Sequence, residues 1–210
     1  MITKYVETWG SLPRAGGRPV RGAAQVEVFR KSIHLTIAAV PAIAAVDVLA
    51  AAGLLAVGIA IYAAAEQARI AGVRVALISE LTVLALRERD RQGFVLGPVT
   101  LGLGAMLALM LYPEPAASVA IYALAFGDSA AAVVGTAVGR IRIPLTGGKS
   151  VAGTAACFLA VLAVTLHVTG NLNASLAVAA AAALLEAAPT RDYDNLLVPA
   201  GAGLVAMAVL

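Results

Sequence analysis

The sequence predicts an all-α fold: a polytopic helical membrane protein with about seven transmembrane helices plus one interfacial helix. Three observations predict it. Of 210 residues, 61% are hydrophobic, and the mean hydropathy is +0.92, where a soluble domain is about half apolar. Apolar runs of spanning length recur from Ile33 to Leu210, as a helix that satisfies its own backbone inside lipid requires. The basic residues fall beside these runs in clusters, as loops on a cytoplasmic face do.

Residues 1–30 read as a cytoplasmic tail and 31–210 as a single membrane-embedded domain, since no linker or low-complexity stretch divides the spans. The tail carries Lys4, Arg14, Arg18, Arg21 and Arg30 among glycines and prolines, without the apolar segment of a signal peptide. Spans are expected near 32–50, 53–68, 95–111, 116–138, 151–169, 172–188 and 196–210. Segment 70–86 has the length to cross but contains Arg74 and Glu80, so loop charge decides it.

With the tail inside, the turn Asp47 to Gly53, which has no basic residue, is outside, and Arg69 and Arg74 are inside. Arg87, Arg89 and Arg91 join them only if 70–86 lies along the interface. "YPEPAAS" (112–118) is then outside and Arg140, Arg142 and Lys149 are inside. "HVTGNLN" (167–173) is outside, Arg191 inside and the C-terminus outside. Seven crossings place all 15 basic residues on one face; eight would divide them.

Charge and cysteine content narrow the function. A net charge of +3 spread around spans suits topology and anionic headgroups, and it argues against nucleic acid as a partner. The single cysteine, Cys157, lies in an apolar run, which excludes an intramolecular disulfide and suits a small core residue.

The polar residues that structure alone does not require lie toward the inner face. Asp128 sits in the fourth span, about eleven residues and roughly 16 Å of straight helix from Arg140. A carboxylate at that depth costs about 2.5–3.5 kcal/mol, so a cleft, or a helix broken near Gly127, is expected there. Ala131, Gly135 and Gly139 recur every four residues, a small-residue ridge for close helix packing. "TGGKS" (146–150) is not the nucleotide loop G-x-x-x-x-G-K-[ST], because Ile143 stands where the first glycine belongs and no βαβ context exists. Its lysine and hydroxyl still precede a helix N-terminus, a place suited to phosphate.

The only other histidine, His167, lies across the membrane from His34, so a histidine metal site is not expected. The carboxylates Asp128, Glu186, Asp192 and Asp194 instead suit a hard cation such as Mg²⁺. Glu66 with Arg69, and Glu80 with Arg74, also suit local ion pairs.

"GDSAAAVVGTAVGR…GGKSVAGT" resembles the signature of the CTP-dependent lipid-alcohol kinases, the group with dolichol kinase, phytol kinase and the CTP-using diacylglycerol kinases. That signature runs G-D-x-x-A-x-x-x-G-x-x-x-G, then K-[ST]-x-x-G-[ST]. Here it is Gly127, Asp128, Ala131, Gly135 and Gly139, then Lys149, Ser150, Gly153 and Thr154. "RKSIHL" (30–35) is similar to the family's R-K-x-x-H, "EQAR" (66–69) to its E-x-x-R, and "GPVTLGLGAMLALMLYP" (97–113) to its next glycine-bearing span. "EAAPTRDYDNLLVP" (186–199) resembles its E-x-x-P…D-N…P ending. The likeness runs in order through nearly all of the chain after the tail. Val151 and Ala152 depart from it, where many members carry an acidic or aromatic residue.

The resemblance implies transfer of the γ-phosphoryl group of CTP to a membrane alcohol of the dolichol or polyprenol type, with Mg²⁺. It implies a multi-pass protein of the plasma or an internal membrane, with membrane lipids as partners, a cytoplasmic active site and the N-terminus inside. Asp128, Lys149, Glu186 and Asp194 would be catalytic, with Asp128 and Asp194 holding the metal. Gly127, Ser129, Gly135, Gly139, Gly148, Ser150, Gly153, Thr154 and Asn195 would form the CTP site, and Arg30, His34, Glu66 and Arg69 would lie near the substrate. Two other readings stay open: a cytidylyltransferase making a CDP-lipid, and a small ion- or proton-coupled transporter. The first would release pyrophosphate; the second needs polar access from both faces.

Overall fold

The computed structural model describes residues 23–73, 75–85, 93–190 and 193–210. Arg74, Arg87, Arg89, Arg91, Arg191, Asp192 and the tail up to residue 22 lie outside the described residues, and with them much of the charge pattern used to assign sidedness. The described residues are helical apart from turns and one isolated bridge between Arg142 and Ser150.

Three helices are long and apolar enough to cross a bilayer, which marks the chain as a membrane protein: Val48–Ile70, Ala116–Val138 and Val151–Thr169. The apolar helices Gly97–Leu111, Leu172–Ala187 and Asp194–Val209 are 15 or 16 residues long. At 1.5 Å per residue they reach about 22–24 Å, short of a hydrocarbon core of about 30 Å. Three of the seven expected spans are thus helices long enough to cross by themselves.

The first expected span, 32–50, is not one helix. Helix α1 (Ala23–Leu35) begins inside the expected tail and gives way to a 3₁₀ turn (Thr36–Ala39), followed by the short α2 (Val40–Ala44). Pro41 enters at the first turn of α2, where its missing N–H is harmless; inside a continuous helix from α1 its ring would meet the carbonyl of residue 37. Asp47, in extended backbone, then caps α3 (Val48–Ile70), accepting from Leu49 N at 2.8 Å and Ala50 N at 3.1 Å. This cap starts α3 five residues before the expected 53. Leu49, Leu54, Val57 and Ile61 are exposed along it, a surface suited to lipid.

Among its described residues, segment 70–86 holds a turn and the helix α4 (Ile78–Ala85). The eight described residues of α4 extend about 12 Å. Next come α5 (Gly97–Leu111) and α6 (Ala116–Tyr122), then a π-helical turn (Ala123–Gly127) that runs into α7 (Asp128–Val138). Helices α8 (Val151–Thr169), α9 (Leu172–Ala187) and α10 (Asp194–Val209) complete the chain.

The α6–α7 rod is the axis of the bundle: 61% of its apolar window is buried, against 11% for α3. One apolar cluster, with Ile37, Leu101, Ala105, Ile121 and Leu124, joins the N-terminal half to α5 and α6. A second, with Val119, Cys157, Val161, Val178 and Val198, joins α6 to α8, α9 and α10. Tyr112 packs against both, and its hydroxyl donates to the Ala200 carbonyl at 2.5 Å.

The small-residue ridge does what its spacing predicts. A Cβ on Gly153 would come within 2.7 Å of the Ala131 carbonyl oxygen, and one on Gly135 within 3.0 Å of Ser150 Oγ. Helices α7 and α8 therefore approach at backbone distance.

Candidate active site

Asp128 is 3% exposed and begins α7 directly after the π-helical turn. Such single π-turns are frequent at functional sites. The expected helix irregularity and the expected cleft are both present: Asp128 lines a cavity of about 540 Å³, within the size range of small-molecule sites. Its Oδ2 accepts from Lys31 Nζ, which α1 brings across from the other end of the chain. His34, one turn on from Lys31, places Nε2 3.0 Å from the same oxygen but at an angle that forms no hydrogen bond.

The opposite wall carries a second cation–carboxylate group. Lys149 Nζ donates to Glu186 Oε1 at 2.5 Å and lies 3.5 Å from Asp194 Oδ2. Burial opposes the charge on Lys149, but Glu186 and Asp194 together outweigh it, and its pKa lies above the ordinary lysine value. Arg30 also faces the cavity, bonded to Glu27 at 2.5 Å.

The "TGGKS" loop is a tight return. Gly147 and Gly148 have φ of +71° and +103°, values that side-chain-bearing residues rarely adopt. Ile143 N donates to the Lys149 carbonyl at 2.9 Å, and the Arg142 guanidinium donates to the Gly148 carbonyl at 2.8 Å. Ser150 caps α8, its Oγ accepting from Gly153 N at 3.1 Å. The loop thus delivers Lys149 into the cavity at the N-terminus of α8.

Of the expected site residues, Arg30, Asp128, Gly135, Gly148, Lys149, Ser150, Gly153, Thr154, Glu186 and Asp194 line this one cavity. The others serve elsewhere. A Cβ on Gly127 would meet Val161 and Cys157, so this glycine packs the π-turn against α8. Gly139 packs against Ser150, and Ser129 is buried without a hydrogen-bond partner.

Asn195 does not line the cavity. Its Nδ2 donates to Thr100 Oγ1 at 2.9 Å and to the Gly97 carbonyl at 3.2 Å, which ties α10 to α5. Glu66 and Arg69 form a two-bonded pair at 2.7 Å. That pair also binds Val95 N at 2.8 Å and the Gly93 carbonyl at 2.9 Å, so it clamps the chain entering α5.

Sequence reasoning missed the partnership of Lys31 with Asp128, and Glu27 as a wall residue. The i, i+3 spacing of Lys31 and His34 does place both on one helix face, a signal that could have paired them with a buried acid.

His34 also lines a second cavity, of about 220 Å³, between α1, α3, α4 and α5. Its walls are mostly apolar, among them Ile33, Ile78, Leu81, Leu96 and Leu101. Arg30 borders both cavities, and the contact between His34 and Asp128 spans the wall between them.

The donor set fits Mg²⁺ carried on a polyphosphate. Among the described residues no three His, Cys, Asp or Glu side chains gather into a self-sufficient metal cage. A nucleotide-borne Mg²⁺ needs only one or two carboxylates, with phosphate and water completing its shell. The cavity offers them: Glu186 Oε2 is buried without a hydrogen-bond partner, and Asp128 and Asp194 line the same space. Thr154 Oγ1, in the same wall, is likewise unpartnered. Buried polar atoms are nearly always paired, so two orphans on one cavity call for a polar occupant. Comparison of the chain with protein-family models, with curated proteins and with solved structures finds no match.

Proposed function

We propose that this protein is a CTP-dependent kinase that phosphorylates the hydroxyl of a membrane isoprenoid alcohol. One observation carries the reading: a polar cavity rich in cations and carboxylates abuts an apolar cavity, and Arg30, His34 and Asp128 lie at their junction. Phosphoryl transfer needs little from a protein beyond positioning and charge stabilisation. The polar side supplies both.

In this reading the alcohol oxygen attacks the γ-phosphorus, the bond from that phosphorus to the β–γ bridging oxygen breaks, and CDP leaves. The hydroxyl proton passes to the carboxylates of the cavity. Lys149 and Arg30 stabilise the phosphate oxygens, Gly148 allows the loop backbone to approach them, and Ser150 and Thr154 offer hydroxyls. Asp128, Asp194 and the free oxygen of Glu186 would hold Mg²⁺, which would supply neutralisation of the phosphate charge. The membrane disposition proposed with this chemistry is the seven-span one, with the polar cavity open to the cytoplasm and α1–α2, α5, α9 and α10 as short or broken crossings.

The test is direct. Purified protein is incubated with Mg²⁺, a panel of lipid alcohols, and γ-labelled CTP or ATP, and the lipids are extracted. Label is expected in a lipid monophosphate from CTP, with CDP as co-product. No label from either nucleotide refutes the kinase, label from ATP alone removes the CTP assignment, and pyrophosphate with a CDP-lipid makes the protein a cytidylyltransferase.

A further inference from the structure

We propose that the ribbon between α7 and α8 is a membrane-surface anchor: Ile141 and Leu145 enter the acyl boundary of an anionic bilayer, and Arg140 meets its headgroup phosphates. The anchor stands apart from the kinase reading, since neither Ile141, Leu145 nor Arg140 lines the polar cavity.

The ribbon is tied along its length. Ile143 N donates to the Lys149 carbonyl at 2.9 Å, Val151 N donates to the Ile141 carbonyl at 3.1 Å, and Arg142 pairs with Ser150 in an antiparallel bridge. At its tip Leu145 is 96% exposed with a φ of +64°, and Ile141 is 70% exposed. Left-handed backbone strains a bulky residue and suits glycine. A leucine there gives the turn nothing that a glycine would not, and water offers its side chain no apolar partner. Its contact therefore lies outside the ribbon.

Position selects lipid as that contact. The ribbon joins Ala116–Val138 to Val151–Thr169, two helices long and apolar enough to cross a bilayer, so their connection lies at the membrane surface. Val138 and Val151, at its two ends, are exposed as well, and the lipid-facing surface of the helices runs on into the ribbon.

Charge separates lipid from the other covers. Arg140 and Arg142 are exposed, and they repel a second copy of the same ribbon. Residues 1–22 carry Lys4, Arg14, Arg18 and Arg21 against Glu7, so the tail is repelled too. Anionic headgroups attract the ribbon. Apolar side chains with basic neighbours bind such a surface and sink about 5–10 Å into the boundary. At that depth position 145 stays open to reagents from its own side of the bilayer. Thr146, Gly147, Gly148 and Lys149 of the same ribbon line the polar cavity, so the anchor holds that wall at the bilayer surface.

The test uses the full-length protein in vesicles of mixed phosphatidylcholine and phosphatidylglycerol, with and without acyl-brominated lipid. Trp9, the only tryptophan, is changed to Phe, and one reporter is introduced by Leu145→Trp, by Ile141→Trp or, in the middle of α8, by Leu159→Trp. Emission from both ribbon reporters is expected to be blue-shifted from that of water-exposed indole and quenched by the brominated lipid, as it is for Leu159→Trp. Adding Arg140→Gln should lower the seated-to-unseated ratio, read from the quenched fraction, about fivefold, the effect of one basic residue at an anionic surface.

Water-like, unquenched emission from both ribbon reporters, with Leu159→Trp quenched, overturns the anchor. A blue shift without quenching identifies a protein cover, the tail or a second copy, and overturns it as well. Quenching that Arg140→Gln leaves unchanged overturns the headgroup contact. No readout here depends on transfer from CTP, so the anchor and the kinase stand or fall separately.

Discussion

Lys31 and Asp128 stand 97 residues apart in the chain and form one buried ion pair at the head of the central helix. Lys31 is 2% exposed, so neither partner has water to replace the other. Removing one partner from such a pair costs about 3–5 kcal/mol, whereas replacing both with apolar residues is often neutral.

Asp128→Asn is therefore expected to lower the thermal stability of the detergent-solubilised protein and to abolish transfer. Lys31→Met combined with Asp128→Leu should regain stability without activity. Full activity in a folded Asp128→Asn variant would remove Asp128 from the chemistry.

Lys149 lines the polar cavity, bonded there to Glu186 and Asp194. Lys149→Met should lower kcat/KM for CTP about 10²–10³-fold, the usual cost of one lost donor to a developing charge. Lys149→Arg should recover only part, because a planar fork does not reproduce a point charge. Steady-state kinetics with varied CTP decide it.

Gly148 has open space around its Cα but a φ of +103°. Gly148→Ala should therefore cost about 1–2 kcal/mol through backbone strain alone. The loss is expected in CTP KM more than in melting temperature, since the strain is local to the return that presents Lys149. An unchanged KM would show that the return tolerates the extra carbon.

Gly153 differs from Gly148 because its neighbours are backbone. Its Cβ would stand 2.7 Å from the Ala131 carbonyl, and neither helix can yield locally. Gly153→Ala is expected to destabilise by about 1–3 kcal/mol, the range for overpacking. Differential scanning fluorimetry in detergent reads it.

The crossing of α8 can be checked by sidedness. In a Cys157→Ser background, Leu145→Cys and Leu172→Cys are exposed positions at the two ends of α8. Its 19 residues reach about 28 Å, so an impermeant maleimide should label them from opposite faces of intact membranes. Labelling of both from one face would remove α8 from the spans.

The elements legible in advance were those whose cause is local. Apolar composition dictates helices, because lipid offers the backbone no other partner. The every-fourth spacing of Ala131, Gly135 and Gly139 dictates a close helix contact, and α8 supplies it. The cost of burying Asp128 required a cavity before one was seen. The absence of a glycine at 143 set "TGGKS" apart from the nucleotide loop it resembles in part, and the observed tight return has a different construction.

Other features depend on how helices rotate and pack, which no local pattern encodes. A continuous first span followed from hydropathy, yet Pro41 and the Asp47 cap divide it. Glu66, Arg69 and Asn195 have the look of site residues, but packing turns them to the chain entering α5 and to the α5–α10 seam. Composition and spacing were enough for a helical membrane protein, its close-packed ridge and a buried acid in need of a cavity. That Lys31 answers Asp128, and that a polar and an apolar cavity share the Arg30–His34 wall, came from the packed molecule, because both depend on the rotation of α1 against α7.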